Sequence, residues 1–379
     1  MSSTARLRYL AAAAVAAAVP HAASAQAADT DPFVKKLAAE GEQNRVLNQM
    51  EIGTRRFWSG DLDSAGAAFD DAIARIELVY SGDPAATKAR SLWHEEGAKS
   101  FKGEPYERAM VYYYRGLAYL RKGDYENARA AFRQGQMQDA FAEEEQNQAD
   151  FAILLFLEAW ASHLNGDEDL RDEALKLLRA MRADFPGIGA GDDTLVLVET
   201  GTGPRKLGDG LDHSYFVFRR GKGFSENRAE LLVGGSAHPL YPMEDVFYQA
   251  STRGGRAVDR ILKGKAEFKA TTGAIGTALA DSSVIVSQLG GGGALSGGLA
   301  GVGAILAFAS FKAKPKADTR AWASLPDTIH VATFASSKLP SADLAIRYSA
   351  GPTPGARPDQ PLALETDSNG KRVALARSR

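Results

Sequence analysis

The chain has 379 residues, long enough for two units with cores of their own. Its 45 basic and 47 acidic residues nearly balance, so no strong field toward nucleic acid or an anionic membrane follows, and nucleic acid is not expected as a partner. Cysteine is absent, which excludes disulfides, thiol catalysis, cysteine-held metals and a lipid anchor on a lipobox cysteine.

Residues 1–25 form a segment apart. Arg6 and Arg8 precede an apolar run from Leu10 to Val19, and Ala23-Ser24-Ala25 gives a small-x-small cleavage site. That order of features predicts a secretory signal peptide cleaved near Ala25. Without a lipobox cysteine, it predicts a soluble exported protein, placed in the periplasm.

From 26 to 187 the pattern reads as helix throughout, and one motif recurs three times. Gly53, Gly60-Asp61, Ala65 and Phe69 return 63 residues later as Gly116, Gly123-Asp124, Ala128 and Phe132. A third copy has Gly166-Asp167, Ala174 and Leu178, with about three extra residues after Asp167. This is the small–large grammar of the tetratricopeptide (TPR) helical hairpin, whose standard period is about 34 residues. The longer offset between the first two copies implies an insert near 79–103. Gly53, Gly116, Ala65, Ala128 and Ala174 are read as packing residues where two helices cross closely. Phe69, Phe132 and Leu178 fill the remaining gap. Asp61, Asp124 and Asp167 are placed to N-cap the second helix of each pair.

The first helices of such hairpins line a concave face. In register, that face carries Met50 and Phe57, then Met110, Tyr113, Leu117 and Leu120, then Phe156 and Trp160. It is too apolar to stand in water. Either a partner's apolar helix or peptide occupies it, or the chain's own C-terminal half or the insert covers it.

After Pro186-Gly187 the texture changes, and 188–379 reads as a smaller mixed α/β domain. Leu195–Val198, Tyr215–Phe218, Glu230–Val233, Ile329–Phe334 and Leu344–Tyr348 are expected as strands. A helix is expected from Pro242 to about Lys269, and Arg253, Arg256, Arg260 and Lys263 share one face of it. A last hairpin is expected to join Leu362–Leu364 to Val373–Leu375 through Ser368-Asn369-Gly370, after an exposed loop over Pro352–Pro361. Segment 282–311 is uncharged and rich in Gly, Ala and Leu, with Gly293, Gly297 and Gly301 at a glycine-zipper spacing. Such spacing serves close helix packing, or membrane contact as the alternative. The fold class expected is α+β, mainly α: a TPR-like hairpin array followed by the mixed unit.

Signals for chemistry are weak. None of His94, His163, His213, His238 and His330 has a partner at metal-ligand spacing, and His94-Glu95-Glu96 is not the zincin pattern. Gly201–Lys206 follows a strand but lacks the Gly-Lys-Ser/Thr ending of a phosphate loop. No catalytic residue, cofactor or metal is therefore assigned, and no enzyme activity is expected.

Several stretches together resemble a family of exported bacterial proteins with an N-terminal TPR region and no established activity. They are Gly103-Glu104-Pro105-Tyr106-Glu107-Arg108, Gly201–Lys206, Phe247-Tyr248-Gln249-Ala250, and Asp318-Thr319-Arg320-Ala321-Trp322 with Leu325-Pro326. The resemblance implies a whole architecture and supplies no site residues. That family's export signal is often of the lipoprotein type, which this cysteine-free chain cannot use. The reading that results is a periplasmic, non-enzymatic scaffold or adaptor binding a protein partner through its helical half. The alternative is an envelope assembly factor that contacts membrane through 282–311.

Overall fold

The computed structural model describes residues 31–80, 100–140, 150–209, 215–223, 226–253, 317–339, 343–350, 353–354 and 357–378. The signal segment 1–25, most of the insert near 79–103 and the segment 282–311 with Gly293, Gly297 and Gly301 lie outside the described residues. So does the basic run beyond Arg253.

The first part is helical. Helix α1 (Pro32–Glu40) starts at Asp31, whose carboxylate accepts from the Phe33 amide at 2.9 Å, and Pro32 at its first turn has no N–H to leave unpaired. Three antiparallel pairs follow: α2 (Arg45–Trp58) with α3 (Leu62–Tyr80), α4 (Pro105–Arg121) with α5 (Tyr125–Ala140), and α6 (Ala152–Asn165) with α7 (Glu168–Met181). Consecutive pairs pack on one another through α3 against α4 and α5 against α6. Gly60, Gly123 and Gly166 turn the chain at φ 84°, 77° and 82°, a region that favours glycine.

A Cβ added at Gly53 would lie 2.5 Å from the Phe69 ring, and one at Gly116 would lie 2.3 Å from the Phe132 ring. Ala65, Ala128, Ala174 and Leu178 are buried beside them. Asp61 and Asp124 accept from the Ser64 and Asn127 amides, both at 3.2 Å. Asp167 does not cap α7: the Asn165 side chain, donating at 2.7 Å, takes its carboxylate instead. Helix also stops at Met181, so 182–187 is not helical as expected.

Five strands make the first sheet, in the order β11 (Glu365–Thr366), β12 (Arg372–Arg377), β1 (Thr194–Thr200), β7 (Thr328–Phe334), β6 (Tyr241–Asp245). β1 runs parallel to β12 and antiparallel to β7. The second sheet is β10 (Gln360–Pro361), β8 (Leu344–Ala350), β4 (Arg228–Val233), β5 (Ser236–Pro239), with β9 (Thr353–Pro354) on β8. β2 (Arg205–Asp209) and β3 (Tyr215–Arg219) form a separate hairpin.

The first sheet is the middle layer. β1 is buried along its whole length, which accounts for its unbroken apolar run. Leu195 and Leu197 join the helical core, while Val196 and Val198 join the core under the second sheet with Leu231, Ile346 and Tyr348. Period-two alternation sends one strand's side chains into two different cores.

Two expectations are corrected here. Pro242 lies in edge strand β6, and the helix α8 (Val246–Arg253) begins after it. An edge strand tolerates a residue without an N–H, and the register slips between Pro242 and Glu244, leaving both Met243 and Glu244 buried. In the last hairpin, Glu365–Thr366 rather than Leu362–Leu364 pairs with β12, while Gln360–Pro361 pairs with β8.

Candidate functional site

The apolar face of the first helices is covered. Met50, Phe57, Met110, Tyr113, Leu117, Leu120, Phe156 and Trp160 are all buried, in one core shared with the first sheet. The segment before β7 supplies much of the cover. The Trp322 ring sits 5.6 Å from Tyr114 and 6.4 Å from Phe69. Its amide donates to Glu107 at 2.7 Å, and the next amide, Ala323, donates to Glu51 at 2.8 Å. Tyr113 donates its hydroxyl to Glu199 of β1 at 3.3 Å. As an open groove for a partner, these eight residues are corrected: the chain buries this face on itself.

Three of the stretches that carried the family resemblance, Gly103–Arg108, Gly201–Lys206 and Asp318–Trp322, meet at this junction. Lys206 of β2 is buried, its Nζ 2.9 Å from Glu104 and 3.7 Å from Glu107. Phe101 and Phe216 flank the ammonium at 5.7 and 5.2 Å. Glu104 and Glu107 also form the capping box that starts α4, so the same carboxylates begin a helix and hold a cation from a distant strand. Burial pushes the Glu107 carboxyl up, and Lys206 pulls it back down. Arg320 is held by Asp318 at 2.7 Å and donates to Asn44 at 2.6 Å, tying the Trp322 segment to the start of α2. Composition and spacing gave no sign of this latch, because its halves are far apart in sequence. The one available signal was charge within otherwise apolar helix starts.

A cleft of about 510 Å³ opens where the β6 bulge meets the loops after β1 and β3. Arg220 bridges two carboxylates there, 2.6 Å from Asp245 and 2.5 Å from Asp327, with its guanidinium 4.6 Å from the Phe247 ring. Asp245 also accepts from the Tyr248 amide at 2.8 Å and so caps α8. Glu244 accepts from Gln249 at 2.9 Å and from the Ile153 amide at 3.2 Å. Its burial pushes the carboxyl up to about 8. Burial also raises Asp327, against the opposing pull of Arg220.

Gly201–Lys206 contributes to this region but does not cradle a phosphate. Lys206 is spent in the buried latch, and Arg205 donates to the Arg220 carbonyl at 3.0 Å. His330 is buried behind the cleft, 3.0 Å from the Thr200 hydroxyl, and burial pulls it down to about 4. His163 meets the Asp192 carbonyl at 2.8 Å. Among the described residues no group of three or more His, Asp or Glu is placed to hold a metal ion, and no helix is long and apolar enough to cross a membrane. Compared with protein-family models, curated proteins and solved structures, the chain matches none.

Proposed function

We propose that this protein is an exported, non-enzymatic scaffold or adaptor of the cell envelope, built on TPR-like hairpins and holding a protein partner on its outer helical surface. The observation that carries the reading is the repeated lock of glycine against phenylalanine, Gly53 on Phe69 and Gly116 on Phe132, at the same register of successive hairpins. Stacked helix pairs of this kind are chiefly holders of partners. Export rests on Arg6, Arg8 and Ala23-Ser24-Ala25. With the inner face occupied by the chain's own Trp322 segment, the partner surface shifts outward. Exposed Met137 on α5 and Leu177 on α7 support that shift, since both stand about half in solvent on second helices of neighbouring hairpins.

The absence of native cysteine gives a direct test. Met137→Cys and Leu177→Cys, each carrying a photo-crosslinker, are expected to yield one defined protein adduct in envelope fractions, with the chain itself in the soluble periplasmic pool. Absence of adducts from both outer positions would sink the adaptor reading. Carbonate-resistant pelleting of the chain would favour membrane contact through 282–311.

A further inference from the structure

The strap from Ala317 to Asp327, just before β7, covers the inner face of the helical layer without joining any helix or strand. Backbone groups must find partners somewhere, and here they find side chains. Among the described residues, no backbone–backbone hydrogen bond ties 317–326 to the rest of the chain. The one such bond within it runs from the Leu325 amide to the Trp322 carbonyl. Sheet-side bonding resumes at Asp327, whose amide donates to the Thr200 carbonyl at 2.9 Å. The strap is thus held as a bound peptide is held, not as a strand is.

Its contacts spell out what the groove recognises. The buried Trp322 ring lies against Phe69 of α3 and Tyr114 of α4. The Trp322 amide donates to Glu107 of α4 and the Ala323 amide to Glu51 of α2, while the Ser324 hydroxyl donates to the other oxygen of Glu51. Arg320 donates to the Asn44 side chain and the Gln43 carbonyl ahead of α2, its guanidinium 5.6 Å from the Phe101 ring. Glu51 and Glu107 are 2% and 0% exposed, and a buried carboxylate needs donors. Any occupant must therefore bring a large apolar anchor and two consecutive amides free to donate. A guanidinium two positions before the anchor and a hydroxyl two positions after it complete the match.

We propose that this groove is a peptide site whose resident ligand is the chain's own strap, and that a partner's segment of the same Arg-x-Trp-x-Ser chemistry exchanges with it. The strap is then an autoinhibitory contact, and the inner face, closed at rest, is a second partner surface. This goes beyond the outer-surface reading and does not depend on it. Exchange rather than simple opening is required, because the apolar face and its carboxylates need cover throughout. A tethered ligand lowers the affinity for an outside one by the fraction of time the groove is vacant, so weakening the strap raises that affinity.

A fluorescein-labelled peptide of residues 317–327 would be titrated by anisotropy into the full exported chain and into the double variant Arg320→Ala, Ser324→Ala, both part-exposed positions of the strap. The double variant is expected to bind at least roughly tenfold tighter than the parent. Either single change should give part of that gain, which decides the matter if the pair does not fold. A peptide with alanine at the anchor should bind at least about a hundredfold more weakly. A benzophenone at the anchor should label α3 or α4. Crosslinks from positions 137 and 177 are independent of these readouts. The proposal is overturned if the folded variants bind no peptide at millimolar concentration, if parent and variants bind alike, or if the label falls outside α3 and α4. Dimerisation of the variant through exchanged straps would equally overturn it, since a second copy would then be the occupant.

Discussion

A methyl group at Gly116 has nowhere to go, because the Phe132 ring already occupies its position at 2.3 Å. Gly116→Ala is therefore expected to destabilise the protein by roughly 1–3 kcal/mol, and Phe132→Leu in the same chain to recover part of that loss. Additive losses in a denaturation series would contradict a shared contact. Two other buried side chains set a pH response. Glu244 titrates near 8 when folded against an ordinary 4.5, so the folded state holds a proton the unfolded state has lost. Its contribution is full below about 4.5 and declines as pH rises through 8, by about 1.4 kcal/mol per unit in between. His330, pulled down from 6.5 to about 4, acts with the opposite sign, contributing above 6.5 and losing its effect as pH falls through 4. The two offset each other between about 4.5 and 6.5, and Glu244 alone remains between 6.5 and 8. Glu244→Gln should thus raise the Tm relative to the parent at pH 8, with the gain shrinking toward pH 6. An equal gain at both pH values would show that Glu244 does not carry the response.

At the scale of elements, the helical hairpins are locally specified but jointly fastened. The turn of the second pair is gripped from outside: Asn369 and Ser368, from the turn between β11 and β12, donate to the Gly123 and Lys122 carbonyls at 2.8 and 3.0 Å. Arg121 of α4 adds an ion pair to Glu365 at 2.8 Å. Arg121 is 9% exposed and Glu365 about half exposed, so solvent screens only the carboxylate side of this bidentate pair. The Lys206 latch differs because all its members are buried. Lys206→Met would leave Glu104 and Glu107 without their cation, an expected loss of roughly 3–5 kcal/mol. Adding Glu104→Gln and Glu107→Gln should restore a large part of it, since the uncompensated charge is the main penalty. Equal stabilities of single and triple variants in urea would contradict this account.

Taken whole, the molecule is three layers: helices, a first sheet buried on both faces, and a second sheet. The helical layer and the first sheet share one apolar core, so neither is complete alone. A fragment ending at residue 187 is expected to expose Met110, Tyr113, Phe156 and Trp160, to bind a hydrophobic dye and to self-associate. The full chain should leave the dye dark and keep Trp160 and Trp322 shielded from an aqueous quencher. Quenching of both indoles in the full chain would mean the groove opens in solution.

Elements whose signals are local are legible along the chain. A turn glycine followed by aspartate, with small and large residues at helical offsets, placed the hairpins, and short apolar runs placed β1, β3, β4, β7 and β8. The pattern missed β6, because Pro242 argues against a strand until the partner's register shows it lies on an edge. That the apolar face of α2, α4 and α6 is covered rather than open emerges from long-range packing. The same packing makes the latch and the cleft, since Lys206 and Glu104 stand 102 residues apart, and the cleft draws on positions from Arg182 to Thr328. Periodicity reports which face of an element must leave water. It carries no information about which distant surface will meet that face, or which charges the meeting will bury together.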